Sequence, residues 1–478
     1  MLLYASCSVS KHCLSPYDSD VSYTPAFARL AEEAAVLAKH QTESGQSGVA
    51  YASIFSGCQA DKHGIFNHPR KIDDSVYLIS EAFAENGYDA HHWDGHPMAR
   101  YKMGYGQGVG ENSHYGVGLA AEDSRFDKLL TRLSSDKEYR AFVLTSFSLT
   151  HHLYTKKLSE KHRSYTTLPA EFEAMGVTNT EFRKYRGLYF RLGRSFPLSW
   201  DFQGKTREWK LSEEELGKFI KVVEYLYKCG IRYLDTTFGM IIDKIAEHGL
   251  LDESLVIFTA DHGEILYRDN AFAKFTHGFQ LAPEVISVPL IVRAPLLGVE
   301  SATHSFVSRS IDVFPTIAGL CGLRIPEDKR PDGVDLSSVL TGQSPPPSLS
   351  AFSHTALVND VVTTWDAYRV SPYYKLYPRI DPELMWVGVR IEDMFFKWAK
   401  FDPDNDAFAP FAFDLSVDPD ERHNLFDGSN MRHRKILDEL KRYKERLVAG
   451  CLLKYENEES GVSEEERARK LRSLGYID

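Results

Sequence analysis

The amino-acid sequence predicts an α/β fold, in which a mainly parallel β-sheet lies between layers of helices. Short runs of apolar and β-branched residues alternate along the chain with longer stretches of helical apolar spacing, as is typical of parallel sheets covered on both faces. The clearest run, residues 255–260, is followed directly by Asp261, His262 and Gly263. A buried strand that delivers polar side chains at its carboxyl end is the second observation that favours this fold class.

Most of the predicted elements lie before residue 321. The first strand, residues 2–5, is a short apolar run. Helices are expected where apolar residues recur at helical spacing among good helix formers, and strands where apolar runs are bounded by glycine or polar residues. In chain order the further elements are helices at 26–38, 48–55 and 76–86, strands after Gly87 and at 141–149, a helical stretch at 212–248 broken near Gly230, strands at 255–260 and 288–293, and a helix at 311–320.

A proline-rich linker at 342–347 precedes a smaller region. Beyond it, residues 387–391 and 395–398 are predicted to form short antiparallel strands, and residues 432–447 an amphipathic helix. The last residues are rich in Glu, Arg and Ser. We therefore predict an α/β domain at 1–345, a carboxy-terminal α+β subdomain at 346–455 and a charged tail at 456–478.

Composition and charge exclude several classes of function. The chain of 478 residues has a net charge of −11, which argues against a nucleic-acid partner. It contains no run of about 18 apolar residues that could span a membrane, and no secretory signal is visible, so a cytoplasmic protein is expected. The six cysteines show no CxxC spacing, so neither a zinc finger nor a disulfide framework is indicated.

Asp261 and His262 are the first candidate metal ligands. A carboxylate and an imidazole at the end of a buried strand make half of a metal site, and this pair suits Zn²⁺ or Mn²⁺ better than Ca²⁺. Another histidine, His277, precedes the predicted strand at 288–293 and is expected near the same edge of the sheet. A polar turn that binds no metal would give the same local pattern.

These residues resemble motifs of the sulfatase family of the alkaline-phosphatase superfamily, where a strand ending in DHGE or DNGE supplies two metal ligands. The chain has DHGE at 261–264, HG at 277–278 and VPLI at 288–291. Other segments resemble further motifs in the family's order: TPAFARLA at 24–31 (TPNLDRLA), SIFSG at 53–57 (SLLTG), HGI at 63–65 (HGV), DVFPTI at 312–317 (DLxPTL), PDGVDL at 331–336 (DGxSL) and FDLSVDPDERHNL at 413–425 (YDLxxDPxExxNL).

The resemblance extends over about residues 2–450. It implies a three-layer alkaline-phosphatase-like fold with a small carboxy-terminal subdomain. It also implies an ester hydrolase or transferase that depends on a divalent metal, for which the residues above favour Zn²⁺ or Mn²⁺ and leave Ca²⁺ as an alternative.

Ser47 is the candidate nucleophile that the resemblance implies. In the family the nucleophile lies nine residues before the Ser or Thr of the (S/T)G pair, and counting back from Ser56 gives Ser47. Backbone amides at a helix start favour a bound anion, and a nearby metal would make the hydroxyl nucleophilic. The alternatives are a simple N-cap serine, or a register in which Thr42 or Ser44 is the nucleophile.

The sequence SGVAY at 47–51 departs from the CxPSR signature of sulfatases, so formylglycine is not expected. An unmodified serine suits phosphoryl transfer better, because a sulfated serine cannot expel sulfate by elimination as a sulfated aldehyde hydrate can. We therefore expect a serine-dependent enzyme acting on a phosphate or sulfate ester. The alternatives are a formylglycine-type sulfatase and a non-catalytic binding protein that keeps the fold.

The first strand lacks the acid that family members use to complete the metal site. No Asp or Glu occurs before Asp18, and the register places Cys7 or Ser8 at that position. Cys7 could bind Zn²⁺ as a thiolate, or it could be a buried thiol in a site that has lost its metal. Cys7 is therefore the third candidate metal ligand.

Several further residues are candidates for contact with the substrate. His277 would contact a substrate oxygen or protonate the leaving group, and His151 could do the same because HHLY at 151–154 resembles the family's HxPY. The other candidates, each of which could equally have a core or surface role, are Lys62, His63, His96 and Lys274.

The motifs leave the substrate open. Loops at 101–115 and 156–209 are expected to line the pocket, and their tyrosines favour a small organic or sugar-like ester. The charged tail at 456–478 could join copies of the chain, so a homo-oligomer is also left open.

Overall fold

The centre of the protein is a β-sheet. Its strands are β1 (Leu2–Ser6), β2 (Ala35–Gln41), β3 (Asp89–Asp94), β4 (Ala141–Phe147), β5 (Val256–Ala260), β6 (Leu290–Arg293) and β7 (Ala302–Arg309). They are arranged side by side in the order β3-β4-β1-β5-β6-β2-β7. The computed structural model describes residues 1–67, 70–148, 150–151, 154, 169–192, 210–269, 271, 274–275, 277–278, 280–355, 385–399 and 408–456.

The register of the sheet brings several strands to one edge. Strand β1 pairs in parallel with β4 and β5, so that Ser6 lies opposite Phe147 on one side and Ala260 on the other. Strand β3 continues this parallel arrangement beside β4, and β2 pairs in parallel with β7. Only β6 runs antiparallel to its neighbours among the described strands of this sheet. The predicted mainly parallel sheet is therefore confirmed.

Helices cover both faces of the sheet. The α-helices of the described residues are α1 (Pro25–Ala31), α2 (Ser47–Ser56), α3 (Ala60–His63), α4 (Ile79–Glu85), α5 (Ser124–Ser135), α6 (Pro169–Met175), α7 (Asn179–Leu192), α8 (Glu213–Glu247), α9 (Pro283–Ile286), α10 (Val313–Cys321), α11 (Ser337–Leu340) and α12 (Met431–Glu456). Along β1, Leu3 joins one apolar core with Tyr51 and Phe314, whereas Tyr4 joins the other core with Phe238. The three-layer arrangement is confirmed.

Two predicted elements differ from the structure. The helix expected at 26–38 ends at Ala31, because residues 35–41 form strand β2 through pairing with β6 and β7. Long-range pairing decides the conformation of residues 35–41, since a short apolar run is compatible with either a helix or a strand. The stretch at 212–248 is one continuous helix, α8, and is not broken at Gly230, which is buried within it.

A smaller antiparallel sheet follows the main domain. Its strands are β8 (Ser350–Thr355), β9 (Trp386–Ile391), β10 (Met394–Ala399) and β11 (Ala409–Asp414), in the order β11-β10-β9-β8, and α12 packs against β9 and β10. This agrees with the α+β subdomain that the sequence predicts. The predicted tail from residue 457 onward, and most of the loop at 156–209, lie outside the described residues. None of the helices in the described ranges is long and apolar enough to cross a membrane.

Candidate active site

The candidate site lies where β1 and β5 end. Because Ser6 and Ala260 are paired, the residues that follow them, Cys7 and Asp261, leave the sheet side by side. The first residue of α2, Ser47, faces the same point, with its Oγ 3.7 Å from the sulfur of Cys7. All these side chains are buried, so the sheet and α2 enclose a small polar cluster.

Three potential metal ligands meet in this cluster. The sulfur of Cys7, a carboxylate oxygen of Asp261 and a ring nitrogen of His262 all lie within 4.8 Å of one another. His262 Nε2 is 3.9 Å from the Cys7 sulfur and 3.5 Å from Asp261 Oδ2. A thiol, a carboxylate and an imidazole form a donor set that suits a borderline-soft cation such as Zn²⁺.

The backbone fixes the orientation of the His262 ring. Its Nδ1 lies 2.8 Å from the carbonyl oxygen of Gly263, which can only accept, so Nδ1 carries the proton and Nε2 has a free electron pair. A backbone carbonyl commonly orients a metal-binding histidine in this way. Gly263 is required here, since a Cβ at this residue would lie 1.9 Å from the carbonyl oxygen of Glu284.

Asp261 has one satisfied and one unsatisfied oxygen. Its Oδ1 accepts hydrogen bonds from the backbone N–H groups of His262 at 2.6 Å and Ser8 at 3.1 Å. Its Oδ2 is buried and has no hydrogen-bond partner within the part of the chain that the structure describes. Burial raises the pKa of the Asp261 carboxyl, despite the opposing effect of His262. Buried polar atoms are normally paired, so the unsatisfied Oδ2 fits a cation in the cluster.

Ser47 lies at hydrogen-bond distance from His262. Its Oγ is 3.1 Å from Nε2 of that ring, and the hydroxyl is the donor because Nδ1 holds the ring proton. The helix N-cap is Gln46, so Ser47 is the first helical residue and not the N-cap. Of the two alternative nucleophiles, Ser44 uses its hydroxyl to accept the backbone N–H of Gln46. The Thr42 hydroxyl has no hydrogen-bond partner among the described residues.

Burial has the largest effect on the pKa of the Cys7 thiol. Burial raises its pKa well above the ordinary value, and the charge of Asp261 acts in the same direction. Hydrogen bonds with Ser8 and Ser47 act in the opposite direction. Without a cation, Cys7 is therefore a neutral thiol, and a bound metal would be needed to stabilise the thiolate.

A row of histidine rings leads away from this cluster. The His277 ring stacks on His262 with centroids 4.1 Å apart, and His151 meets His277 edge-on at 4.8 Å. His96 is the next ring, 6.5 Å from His151. The structure thus places His277, His151 and His96 in one row of rings that starts at His262.

Glu264 was not among the sequence candidates, although it is the last residue of the DHGE motif. Its Oε2 lies 3.0 Å from Nδ1 of His277, and the carboxyl group is fully buried. Burial raises the pKa of Glu264 well above its ordinary value. The available signal was the position of Glu264 at the end of the DHGE motif.

Two residues that the sequence analysis names as substrate contacts, Lys62 and His63, form hydrogen bonds with other parts of the protein. Lys62 Nζ donates to the Arg330 carbonyl at 2.7 Å and to Asp332 at 3.2 Å. His63 bonds through one ring nitrogen to Ser53 and through the other to the backbone of Ile65. Both residues lie on helix α3. Contact between these side chains and a substrate stays a prediction.

Lys274 is also held within its own loop. Its Nζ donates to the carbonyl oxygens of Ala271 at 3.0 Å and Asp269 at 3.4 Å. Burial lowers the pKa of this lysine. These contacts direct the ammonium group to the backbone of the loop that follows β5.

A family model and curated relatives match this chain. The family model described as Sulfatase matches residues 8–323. A choline-sulfatase of Rhizobium meliloti is 27% identical over 263 residues, which cover 54% of this chain and 46% of that protein. An arylsulfatase K of Xenopus laevis is 27% identical over 191 residues, which cover 40% of this chain and 31% of that protein. The chain thus spans less than half the length of these relatives.

Solved structures match nearly the whole chain. A protein in complex with its substrate D-glucosamine-2-N,6-O-disulfate has a TM-score of 0.64 at 16% identity, covering 94% of this chain and 98% of that chain. The phosphonate monoester hydrolase of Agrobacterium radiobacter has a TM-score of 0.61 at 16% identity, covering 94% of this chain and 95% of that chain. At this identity the likeness shows a shared fold.

Proposed function

Because this chain belongs to the sulfatase family, we propose that it is a metal-dependent hydrolase or transferase that acts on a phosphate or sulfate ester through Ser47. One observation carries the proposal. The Ser47 hydroxyl lies 3.1 Å from His262 Nε2 and 3.7 Å from the Cys7 sulfur, beside the cluster of potential metal ligands. A nucleophile next to a divalent cation is the arrangement that activates a hydroxyl at neutral pH.

The residues that would hold the metal are Cys7, Asp261 and His262. Their sulfur, oxygen and nitrogen donors favour Zn²⁺ or Mn²⁺, and the thiol makes Ca²⁺ the less suitable alternative. When bound, a divalent cation supplies stabilisation of the negative charge on the ester oxygens.

Ser47 and the histidines would carry out the chemistry. The Ser47 hydroxyl gives its proton to solvent as its Oγ attacks phosphorus, or less readily sulfur. A covalent ester forms while the bond to the leaving oxygen breaks. His277, with His151 beside it, gives a proton to that oxygen. Water or an acceptor alcohol then attacks the covalent ester, releases the phosphoryl or sulfuryl group and regenerates the serine hydroxyl.

A phosphate ester is the favoured substrate class. Release from an unmodified serine requires direct attack at phosphorus, which phosphate esters permit and which needs no aldehyde hydrate. The loop at 101–115 is the basis for a proposal about the size of the substrate. Its Tyr105 hydroxyl donates to the Gly48 carbonyl at 3.5 Å, so this loop lies close to the start of α2. A small sugar-like ester fits this aromatic wall, and the sugar-sulfate complex of one structural neighbour is consistent with that class.

A formylglycine-type sulfatase is the second candidate, since the curated relatives are sulfatases. Mass spectrometry of the peptide that contains Ser47 separates the two candidates. An intact serine supports the proposal, and the loss of two hydrogens from that residue contradicts it.

Metal content is the first test of the proposal. We expect near-stoichiometric Zn or Mn in the purified protein and none in Asp261→Ala, because that variant removes the unsatisfied buried oxygen. Asp20→Ala, at an exposed residue, is the control and should keep the metal. Phosphate monoesters, phosphate diesters and sulfate esters are then screened with the loaded protein. The absence of metal in wild type and variant, even with excess ions, would contradict the proposal and favour a binding protein.

A further inference from the structure

The connection between β5 and β6 is held by the carboxy-terminal subdomain. Apolar side chains of this connection, including Ile265 and Val285, form a cluster with Trp386 and Phe395 of the small sheet. That cluster is separate from the two cores that cover the faces of the main sheet. The connection also carries His277, so the packing of the small sheet bears on a residue of the candidate site.

Buried charges join the same two parts of the protein. Arg268, on the connection, lies 3.4 Å from Glu421 and 3.3 Å from Glu284 of α9. Glu421 is also paired with Lys397 of β10. Arg268, Glu421 and Lys397 are each at least nine-tenths buried. Charges buried to this extent depend on their partners, because a charge left alone in the interior is strongly unfavourable.

Glu421 belongs to the motif at 413–425, to which the proposed chemistry assigns no role. Its backbone has φ of +56°, in the left-handed region, within the turn that follows β11. A non-glycine residue is held in that conformation only where its surroundings require it. The motif therefore places a carboxylate against Arg268 of the connection that carries His277.

A second contact fixes the backbone directly beside His277. The hydroxyl of Thr355, the last residue of β8, donates to the carbonyl oxygen of Gly278 at 2.5 Å. The side chain of Gln46, the N-cap of α2, donates to the same oxygen at 3.5 Å. Gly278 has φ of +83°, which glycine adopts without strain. The small sheet and the nucleophile helix thus meet at the residue that follows His277.

We infer that the carboxy-terminal subdomain positions His277 for proton transfer to the leaving group, with Glu421 and Thr355 as its positioning residues. The inference rests on the role of His277 in the proposed function. The metal ligands lie at the ends of β1 and β5, and so do not depend on these contacts. Loss of the positioning contacts should therefore impair protonation and leave metal binding intact.

The test compares Glu421→Gln and Thr355→Val with wild type on phosphate esters of 4-nitrophenol and of an alkyl alcohol. A poor leaving group needs the proton, so we expect kcat to fall at least about 10-fold for the alkyl ester and to change little for the nitrophenyl ester, with unchanged metal content. Asp393→Asn is the control, because among the described residues the ion pairs of Asp393 are with Lys39 of the main sheet and Arg390 of β9, and neither partner lies on the connection. Arg390 donates to Ser287, which lies after the segment 264–282 that carries His277. Equal losses for both esters would overturn the inference.

Hydrogen exchange gives a readout that does not require turnover. In Glu421→Gln and Thr355→Val, amides of the peptide covering 264–282 should exchange faster, and those in Asp393→Asn should match wild type. If the wild-type protein turns over no ester, the proposed function fails, and exchange still decides whether the subdomain holds this peptide. Unchanged exchange in both variants would overturn the inference even if an ester is turned over. Thr355→Val serves if Glu421→Gln does not fold.

Discussion

At residue 7 the chain places a sulfur atom between a serine hydroxyl and an imidazole nitrogen, 3.7 Å from the first and 3.9 Å from the second. The motifs around it lead one to expect an acid at this position. A thiolate is a softer ligand than a carboxylate. A sulfur atom in place of a carboxylate oxygen therefore changes which cations the cluster prefers. The consequences are specific to Cys7 and can be measured on single-residue variants.

Substitution Cys7→Asp should shift the metal preference of the cluster. We expect the affinity for Zn²⁺ to fall at least about 10-fold, because the loss of a hydrogen-bond partner of a metal ligand already has an effect of that size. The affinity for Mn²⁺ and Ca²⁺ should rise. Calorimetric titration of the metal-free protein with each ion measures both effects. Cys13→Ala is the control, since this cysteine is half-buried and is not among the potential ligands. Identical affinities in Cys7→Asp and wild type would show that Cys7 binds no metal.

Substitution Ser47→Ala should abolish turnover and leave the metal bound. Because the three potential ligands are untouched, metal content should match wild type, whereas kcat should fall by about 10³-fold or more through loss of the nucleophile. Steady-state rates on the ester found in the screen, together with metal analysis, check this expectation. Ser44→Ala is the matched control and should stay active. An active Ser47→Ala protein would exclude this residue as the nucleophile.

At the scale of elements, the turn after β5 determines the site. Strand β5 ends at Ala260, and within the next few residues the chain supplies a carboxylate, an imidazole and the acid that contacts His277. The turn is tight against α9, with the Gly263 N–H donating to the Val285 carbonyl at 2.7 Å. Any atom added at residue 263 would press on that helix.

Substitution Gly263→Ala should destabilise the protein. Its Cβ would lie 1.9 Å from the Glu284 carbonyl oxygen, so the turn must shift, at a cost of roughly 1–3 kcal/mol in the free energy of unfolding. Gly217→Ala is a control of opposite sign, because Gly217 lies in α8 with nothing within 4 Å of an added Cβ, and alanine should stabilise the helix by up to about 1 kcal/mol. Denaturant unfolding of both variants measures the difference, and equal effects would contradict the argument.

The sequence alone predicts the parts of the fold and site that have local signals, and it misses those that depend on long-range contacts. Asp261 and His262 could be named as candidates because a strand end is a local signal, and Ser47 because the resemblance to the family gives a fixed spacing. Strand β2 was missed, since only its partners distinguish it from a helix. The pairing of Arg268 with Glu421 joins residues 153 positions apart and leaves no local pattern. A long-range contact of this kind also pairs Lys62 with Asp332, 270 positions further along the chain.

At the scale of the whole molecule, a buried carboxylate joins the main domain to the subdomain. Glu43 accepts hydrogen bonds from Ser53 at 2.6 Å and from Tyr443 of α12 at 3.1 Å, and His354 of β8 lies 3.3 Å from the same tyrosine hydroxyl. Burial acts to raise the pKa of Glu43, but the contacts with His63, His354 and Ser53 outweigh it and lower the pKa to about 2. The ionised form of Glu43 therefore contributes to the stability of the folded protein.

Stability should fall as the solution is acidified. Burial lowers the pKa of His40 to about 3 and those of His92 and His354 to about 4, below the ordinary value of 6.5. Between pH 6.5 and about 4 the unfolded chain thus binds protons that the folded protein does not, so the free energy of unfolding decreases as pH falls. Glu43 adds to this loss below about pH 4.5, when its carboxyl would be protonated in the unfolded chain.

Denaturant unfolding at pH 7 and pH 5, both with a chelator so that metal loss does not contribute, measures this effect. We expect a decrease on the order of a few kcal/mol from the three histidines together. The variant His92→Gln should show a smaller decrease, because it removes one of the groups that titrate. A free energy of unfolding that is equal at the two pH values would contradict the prediction.

The reversed direction of β6 has a consequence for how this site can change. Because Thr259 of β5 is opposite Leu290 of β6 in an antiparallel pair, the chain leaves and re-enters the sheet at one edge, as an elongated hairpin. A parallel β6 would have required a crossover that carries the chain back to the far edge. Outside the contacts that Gly263, Arg268 and Gly278 make, residues can therefore be inserted or deleted in this connection without moving a strand. Those parts of the connection can change for a new substrate while the ligand cluster stays in place.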